Sequence, residues 1–304
     1  MSDRPILITG STGQLGTALV TCAAAAGLQY VASDRSVLNF DKPDTVESHF
    51  FRTKPSLVLN AAAWTDVNAA ERNIEAAYRA NRNGPAILAA LCARAMIPLI
   101  HISTDYVFDG TKGIPYVETD AVAPRGVYGA RKEAGERAVL QSDARAIVIR
   151  TAWLFSAGHR NFARTMIQAA RSAPQLSIVA DQRGTPTAAI DLASAVLHIV
   201  DILRRRGWRD SDRGIFHVAN RGDATWHEFA KQIFNVAEAH GEVRPKLLPI
   251  TSADWPTPAQ RPADSRLDCT KLRQHFGIDL PNWRDATRRV ITEMLTAREG
   301  QVSP

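Results

Sequence analysis

The sequence predicts an α/β fold in which one parallel sheet is doubly wound by helices, with a smaller C-terminal lobe attached. Three observations carry that expectation. Short runs such as "PILITG", "SLVLNAAA" and "IPLIHIS" are apolar at consecutive positions, the pattern of strands buried on both faces. These runs alternate with longer stretches of helical period, which places crossover helices between parallel strands. The first run also passes straight into a glycine-rich loop and then a helix-like segment, the opening of a nucleotide-binding βαβ unit.

The elements follow in order. "PILITG" is the first strand, residues 14–26 a helix, and "QYVASD" the second strand after Gly27. A helix over 43–53 leads to the strand "SLVLNAAA", then one long helix over 71–95 leads to the strand "IPLIHIS". A further helix holds Tyr128 and Lys132 and precedes "RAIVIRTAWLF", read as a single strand. Beyond Phe155 the regularity loosens into helices over 161–172, 188–205 and 225–239, and "HGEVRPKLLPITSADWPTPAQRPADS" has the Pro-rich composition of loop. Residues 1–155 are therefore expected to form the sheet domain and 156–304 mainly a second lobe, with part of the later chain returning to the sheet.

Composition narrows the function classes. The chain has 304 residues, 45% hydrophobic and 22% charged, enough for a sizeable core without repeats or low-complexity runs. The longest apolar stretch carries Asp191, His198 and Asp201 and falls short of the roughly 18 to 20 apolar residues of a membrane span. The N-terminus enters a strand at once, with no h-region of a signal peptide, so a cytosolic protein is expected. Cys22, Cys92 and Cys269 form no C-x-x-C and read as buried reduced thiols, neither a disulfide framework nor a zinc site. Net charge is +6, from 30 Arg and 7 Lys against 31 acids. The arginines are scattered, and the one run, "RRR" at 204–206, reads as a solvated helix end. No recognition motif for nucleic acid accompanies the charge, whereas a diphosphate ligand would use part of it.

"ITGSTGQLG" supplies Gly10, Gly13 and Gly16 between strand and helix, with Gln14 and Leu15 opening the helix. There, glycines let the backbone approach a pyrophosphate and the helix N-terminus faces the anion. The spacing is G-x-x-G-x-x-G rather than the commoner G-x-G-x-x-G of the Rossmann fingerprint. Asp34 closes the second strand where an acid would take the adenosine ribose hydroxyls of NAD, and Arg35 beside it suits the 2′-phosphate of NADP, so the pair leaves the cofactor open. Further on, "APRGVYGARKEAGE" sets Tyr128 and Lys132 four apart, on one face of a helix. Alone, that pair reads equally as a solvated surface pair.

Taken together, the glycine spacing, "NAAA", "STDYVFDG" and the Y-x-x-x-K pair resemble the extended short-chain dehydrogenase/reductases. Within that group the blocks "AAAWTDVNAAE", "ISTDYVFDG", "YGARKEAGE", "VIRTAWLF", "NFARTM", "VADQRGTPT" and "RPADSRLDCTKL" are similar, in the same order, to those of the dTDP-4-dehydrorhamnose reductase family. The resemblance covers nearly the whole chain. It implies an NADPH-dependent enzyme, with NADH also accepted, that reduces the C4 ketone of a dTDP-sugar in the biosynthesis of rhamnose for cell-surface polysaccharide. By the family pattern Thr104 hydrogen-bonds the substrate carbonyl, Tyr128 gives a proton to the forming alkoxide, and Lys132 holds the nicotinamide ribose. A free phenol has a pKa of about 10, and the ammonium nearby is expected to lower it. The resemblance also implies that Asn60, Ala62 and Ala63 border the cofactor, that Asn81 supports the lysine, and that Thr65, Val67, Asp105, Tyr106 and Trp153 face the sugar. Arg261 would meet the substrate diphosphate.

The chain departs from that pattern in places. Gly126 stands where Asn is commoner, and Arg131 replaces a Ser or Thr before the lysine. Some relatives bind magnesium through glutamates at a dimer interface, one of them in the first helix; here that stretch is "GTALV", without an acid. No metal is therefore expected, and a monomer or weak homodimer is. A 4,6-dehydratase would carry an Asp-Glu pair after the threonine, but Asp105-Tyr106 stands here. A non-catalytic subunit similar to the beta subunit of methionine adenosyltransferase is the reading from another class, and it gives no reason to keep Thr104, Tyr128 and Lys132 together.

Overall fold

Strand β1 (Ile6–Thr9) is buried at every position, as its unbroken apolar run demands. In the computed structural model, which describes residues 4–299, it is paired on both sides, by β2 (Tyr30–Ser33) and β3 (Leu57–Asn60). The sheet continues through β4 (Pro98–Thr104) and β5 (Arg145–Thr151) to a last strand, Gly214–His217, with every pairing parallel. Because β2 and β3 lie on opposite sides of β1, the strand order reverses there. The crevice at the carboxyl ends of β1 and β3 is where such sheets bind ligands.

Helices cover both faces. Leu15 and Leu19 of helix Gln14–Ala25 pack with Leu192 and Val196 of helix Ala189–Arg206 over one face, against Ile6, Ile8 and Ile149. Phe50, Leu88 and Val139, from three other helices, cover Leu7, Val58 and Val148 on the other. Helix Pro43–Thr53 shows why such bounds are legible: Pro43 starts it, Asp44 and Arg52 complement its dipole, and Lys54 in the left-handed region at φ 47° ends it. A further buried cluster, away from the sheet faces, brings Phe155 together with Phe229, Ile233, Trp283 and Ile291.

Five expectations need correction. The helix over 71–95 starts only at Ile74, after the separate short helix Val67–Ala70, and it runs on to Ala95 with a π-helical stretch, Arg79–Asn83, between its α-helical parts Ile74–Tyr78 and Gly84–Ala95. The strand over 145–155 breaks after Thr151, because Trp153 takes φ 44°; Leu154–Phe155 pairs instead with Thr187–Ala188. Within the expected loop, Lys246–Ile250 is a strand parallel to Gln175–Val179. The "RRR" run is not wholly solvated either, since Arg206 clamps the fully buried Asp212 at 2.6 and 2.9 Å. As for the thiols, all three are free, but only Cys92 is fully buried. Among the described residues no helix is long and apolar enough to cross a membrane.

Candidate active site

A cleft of about 760 Å³ runs across the carboxyl ends of the strands, from Asp34 and Arg35 at one end to Tyr128 and Lys132 at the other. At its head, Gly10 holds φ +67°, and a Cβ on Gly16 would come within 2.0 Å of the Gly10 carbonyl oxygen. The loop can fold this tightly only with glycine at both places. Gly13 caps helix Gln14–Ala25 with no side-chain bond, and the first turn holds no acid. Its open N–H groups and positive dipole end thus suit a diphosphate. Ser103 and Thr151, side by side with Thr104 at the strand ends, are also on the cleft wall, and their buried hydroxyls have no protein partner. The cradle, the length and these polar groups fit a nicotinamide dinucleotide.

At the adenosine end, Asp34 accepts from the Ser36 hydroxyl and backbone N–H, and those bonds hold its carboxyl below the usual range. Arg35 is 76% exposed and ion-paired with Asp41, which also receives Arg79 at 2.6 Å. The floor is a polar chain through three strands: Thr9 donates to Asn60 at 2.7 Å, Asn60 bonds His101 at 3.0 Å, and Asn60 also accepts from Ala62 N–H at 3.2 Å. That chain fixes the backbone on which Ala62 and Ala63 line the cleft. Asn81, in the π turn, accepts from Trp64 N–H at 2.8 Å and donates to its carbonyl at 3.0 Å, which pins the loop that presents Thr65 and Val67. Asn60, Asn81 and Gly16 thus stand behind the wall, whereas Gly10, Gly13, Gln14 and Leu15 are on it.

Helix Val127–Leu140 brings Tyr128 and Lys132 to the same corner as Thr104, which ends β4. Gly126 gives this helix no side-chain cap, and Glu71 takes the Val127 N–H at 2.8 Å instead. A carboxylate 56 residues away replaces the missing Asn and complements the helix dipole. Lys132 is 2% exposed and donates to the Ile102 carbonyl at 2.5 Å. Burial lowers its pKa to about 8, against the pull of Glu136. Thr104 donates to Asp105 Oδ1 at 3.0 Å and accepts from Tyr106 N–H at 3.2 Å. Asp105 is pushed up to about 7 by burial, in spite of its hydrogen bonds from Ser265 and Thr104.

The expectation of an acidified phenol is overturned in the free cleft. Burial raises the Tyr128 hydroxyl above its ordinary value, the Thr104 hydrogen bond offsets only part, and the charge of Asp105 adds to the rise. The lysine ammonium does not outweigh desolvation here. Tyr106, edge-on to Tyr128 at 5.8 Å, is likewise pushed up to about 12 by burial.

The remaining wall is aromatic. Trp153 stacks on Trp226 with ring centroids 3.5 Å apart and planes 4° from parallel, and both rings line the cleft. Arg261 lies outside the wall, hydrogen-bonded to Thr257 at 2.7 Å and to Tyr106 behind it. Trp226 and the loop His159–Arg160–Asn161 reach the cleft unforeseen by the sequence reading. Asn161, within the quoted "NFARTM", was the available signal: it donates to Gln14 Oε1 at 3.0 Å, beside the glycine loop. Among the described residues no group of three or more His, Cys, Asp or Glu side chains could hold a metal ion.

A doubly wound sheet, a glycine-loop cradle and a tyrosine and lysine on one helix face define an NAD(P)-dependent oxidoreductase of the extended short-chain type. The family model described as RmlD substrate binding domain matches residues 4–296, and the chain belongs to that family. It is 39% identical over 290 residues to a dTDP-4-dehydrorhamnose reductase of Sinorhizobium fredii, covering 95% of this chain and 97% of that one. It is 38% identical over 293 residues to a probable dTDP-4,6-dihydroxy-2-methyloxan-3-one 4-ketoreductase of Streptomyces antibioticus, covering 96% of each. A solved dTDP-4-dehydrorhamnose reductase of Bacillus anthracis, in complex with NADP, has a TM-score of 0.87 at 31% identity, covering 95% of this chain and 99% of that one.

Proposed function

We propose that the protein reduces the C4 ketone of dTDP-4-dehydro-6-deoxy-L-mannose to give dTDP-L-rhamnose, with NADPH preferred and NADH accepted, in the cytosol and as a monomer or weak homodimer. The carrying observation is that Thr104, Tyr128 and Lys132, from one strand end and one helix face, line a single cleft with the glycine cradle. When bound, the reduced nicotinamide supplies a hydride to the carbonyl carbon. The protein's own residues do the rest. Tyr128, whose raised pKa keeps it protonated at neutral pH, gives its proton to the oxygen as it becomes an alkoxide. Thr104 turns its hydroxyl from Asp105 to the carbonyl and orients it. Lys132 spends one of its three donors on Ile102 and offers the others to the nicotinamide ribose. Trp153 and Trp226 give the deoxysugar a flat apolar wall, while Arg160 on the rim suits its diphosphate.

Product analysis after incubation with that keto sugar and both reduced cofactors tests the reading. dTDP-L-rhamnose is expected; no oxidation of either cofactor would refute it. A second reading, reduction of another dTDP-4-keto sugar, is favoured by the Streptomyces relative's similar identity. It predicts a faster rate with a different keto sugar, whereas a 6-deoxytalose product from the same keto sugar would mark hydride delivery to the other face of C4.

Two further outcomes are expected. Asp34→Ala shifts cofactor preference further toward NADPH, because it removes the negative charge beside the 2′-position and leaves Arg35 in place. The ratio of kcat/KM for the two cofactors measures this, and a shift toward NADH would show that Asp34 does not face the ribose. EDTA leaves activity largely unchanged, since the first turn of helix Gln14–Ala25 carries no acid for a magnesium site. Loss with EDTA and recovery with magnesium would show that other carboxylates serve.

A further inference from the structure

Two blocks of the sequence hold charged residues that the reaction above does not use, Glu136 in "YGARKEAGE" and Arg150 in "VIRTAWLF". The structure joins them. Arg150, on β5, holds Glu136 through Nε at 2.9 Å and Nη2 at 2.6 Å, with side chains only 3% and 4% exposed. Its guanidinium also lies 5.0 Å from the Phe108 ring. Glu136 is one turn beyond Lys132 on the same buried helix face, as Tyr128 is one turn before it. His101 on β4 feels the ammonium's charge, and Tyr128 and Asp105 line the same cleft as Lys132. Burial and Lys132 together keep His101 neutral, so it adds no like charge beside the ammonium. Asp105 has its own hydrogen bonds from Thr104 and Ser265.

Resting on the reductase reading, we infer that the Glu136–Arg150 pair is a positioning device for Lys132: it fixes a countercharge one turn behind the ammonium and clamps the catalytic helix to β5. A buried pair is a poor way to add stability, since desolvating two charges offsets most of their attraction. Setting the charge state of a neighbouring lysine is a function that apolar residues could not supply. Each half acts with opposite sign. Glu136 favours the ammonium, whereas Arg150 weakens that help by neutralising the carboxylate.

The test is the pH at which NADPH affinity falls, read by cofactor fluorescence on the whole protein, alongside the alkaline limb of kcat/KM. Wild-type Lys132 deprotonates near pH 8, so affinity weakens above that pH. Glu136→Gln moves this limb down by about one pH unit, a roughly tenfold change on the falling side. Arg150→Met moves it up. The double variant Glu136→Gln/Arg150→Met lies below wild type but above Glu136→Gln, and it leaves no buried charge unpaired should a single variant fail to fold. Limbs that move in the same direction, or an unshifted limb in the folded double variant, would overturn the inference. Because the affinity profile needs no sugar, it stands apart from whether the wild type turns over the keto sugar, which decides the reductase reading itself.

Discussion

Tyr128→Phe lowers turnover by roughly 10²- to 10⁴-fold, the range lost when a positioned general acid is removed, while NADPH binding and the fold survive. The substitution deletes one hydroxyl and keeps the ring, whose edge-on contact with Tyr106 at 5.8 Å is unchanged. The ribose donor, Lys132, is untouched, so cofactor titration gives a near-normal dissociation constant. In the free wild-type cleft the phenol is raised above its ordinary value, and an alkoxide is a strong enough base to take its proton. Losing that proton therefore affects the chemical step rather than binding, and the change falls in kcat more than in KM. Near-normal turnover of Tyr128→Phe would mean that another group delivers the proton and that Tyr128 is only part of the wall.

What the sequence made legible was local. The first strand, glycine loop and helix could be read because each is specified by residues within one short window: an apolar run, Gly10 and Gly16, then the 3.6 period of Leu15, Leu19 and Ala23. The same holds for Tyr128 and Lys132, whose spacing alone puts them on one face. What escaped was set by partners far along the chain. The π turn at Arg79–Asn83 has no signature of its own; it turns Asn81 onto the backbone of Trp64, 17 residues away. Trp153 leaves its strand at φ 44°, and its ring stacks on Trp226, a partner far along the chain. Gly126, where Asn is commoner, leaves a helix end that Glu71 caps from 56 residues away, a partner that no local pattern shows. Even the sign of the phenol's shift is hidden in the sequence, since spacing shows the ammonium but not the burial that raises the pKa. Contacts of this range are legible only once the fold has brought the residues together.

Lys132→Met separates function from stability. It removes the ribose contact and the nearby positive charge, so NADPH affinity weakens along with the rate, and kcat/KM falls by at least as much as in Tyr128→Phe. Stability moves the other way. The lysine titrates near 10.4 in an unfolded chain and at about 8 in the fold, because burial disfavours the ammonium. The folded state therefore binds this proton more weakly than the unfolded one, and the wild type carries a cost that is fully present below pH 8 and fades as pH rises toward 10. Methionine, of similar length and uncharged, avoids it. The variant's melting temperature should match or exceed that of the wild type near pH 7, and the difference should shrink by about pH 10. A melting temperature several degrees lower at pH 7 would show that the bond to Ile102 and the attraction of Glu136 outweigh the burial cost, and that Lys132 supports the fold as well as the cofactor.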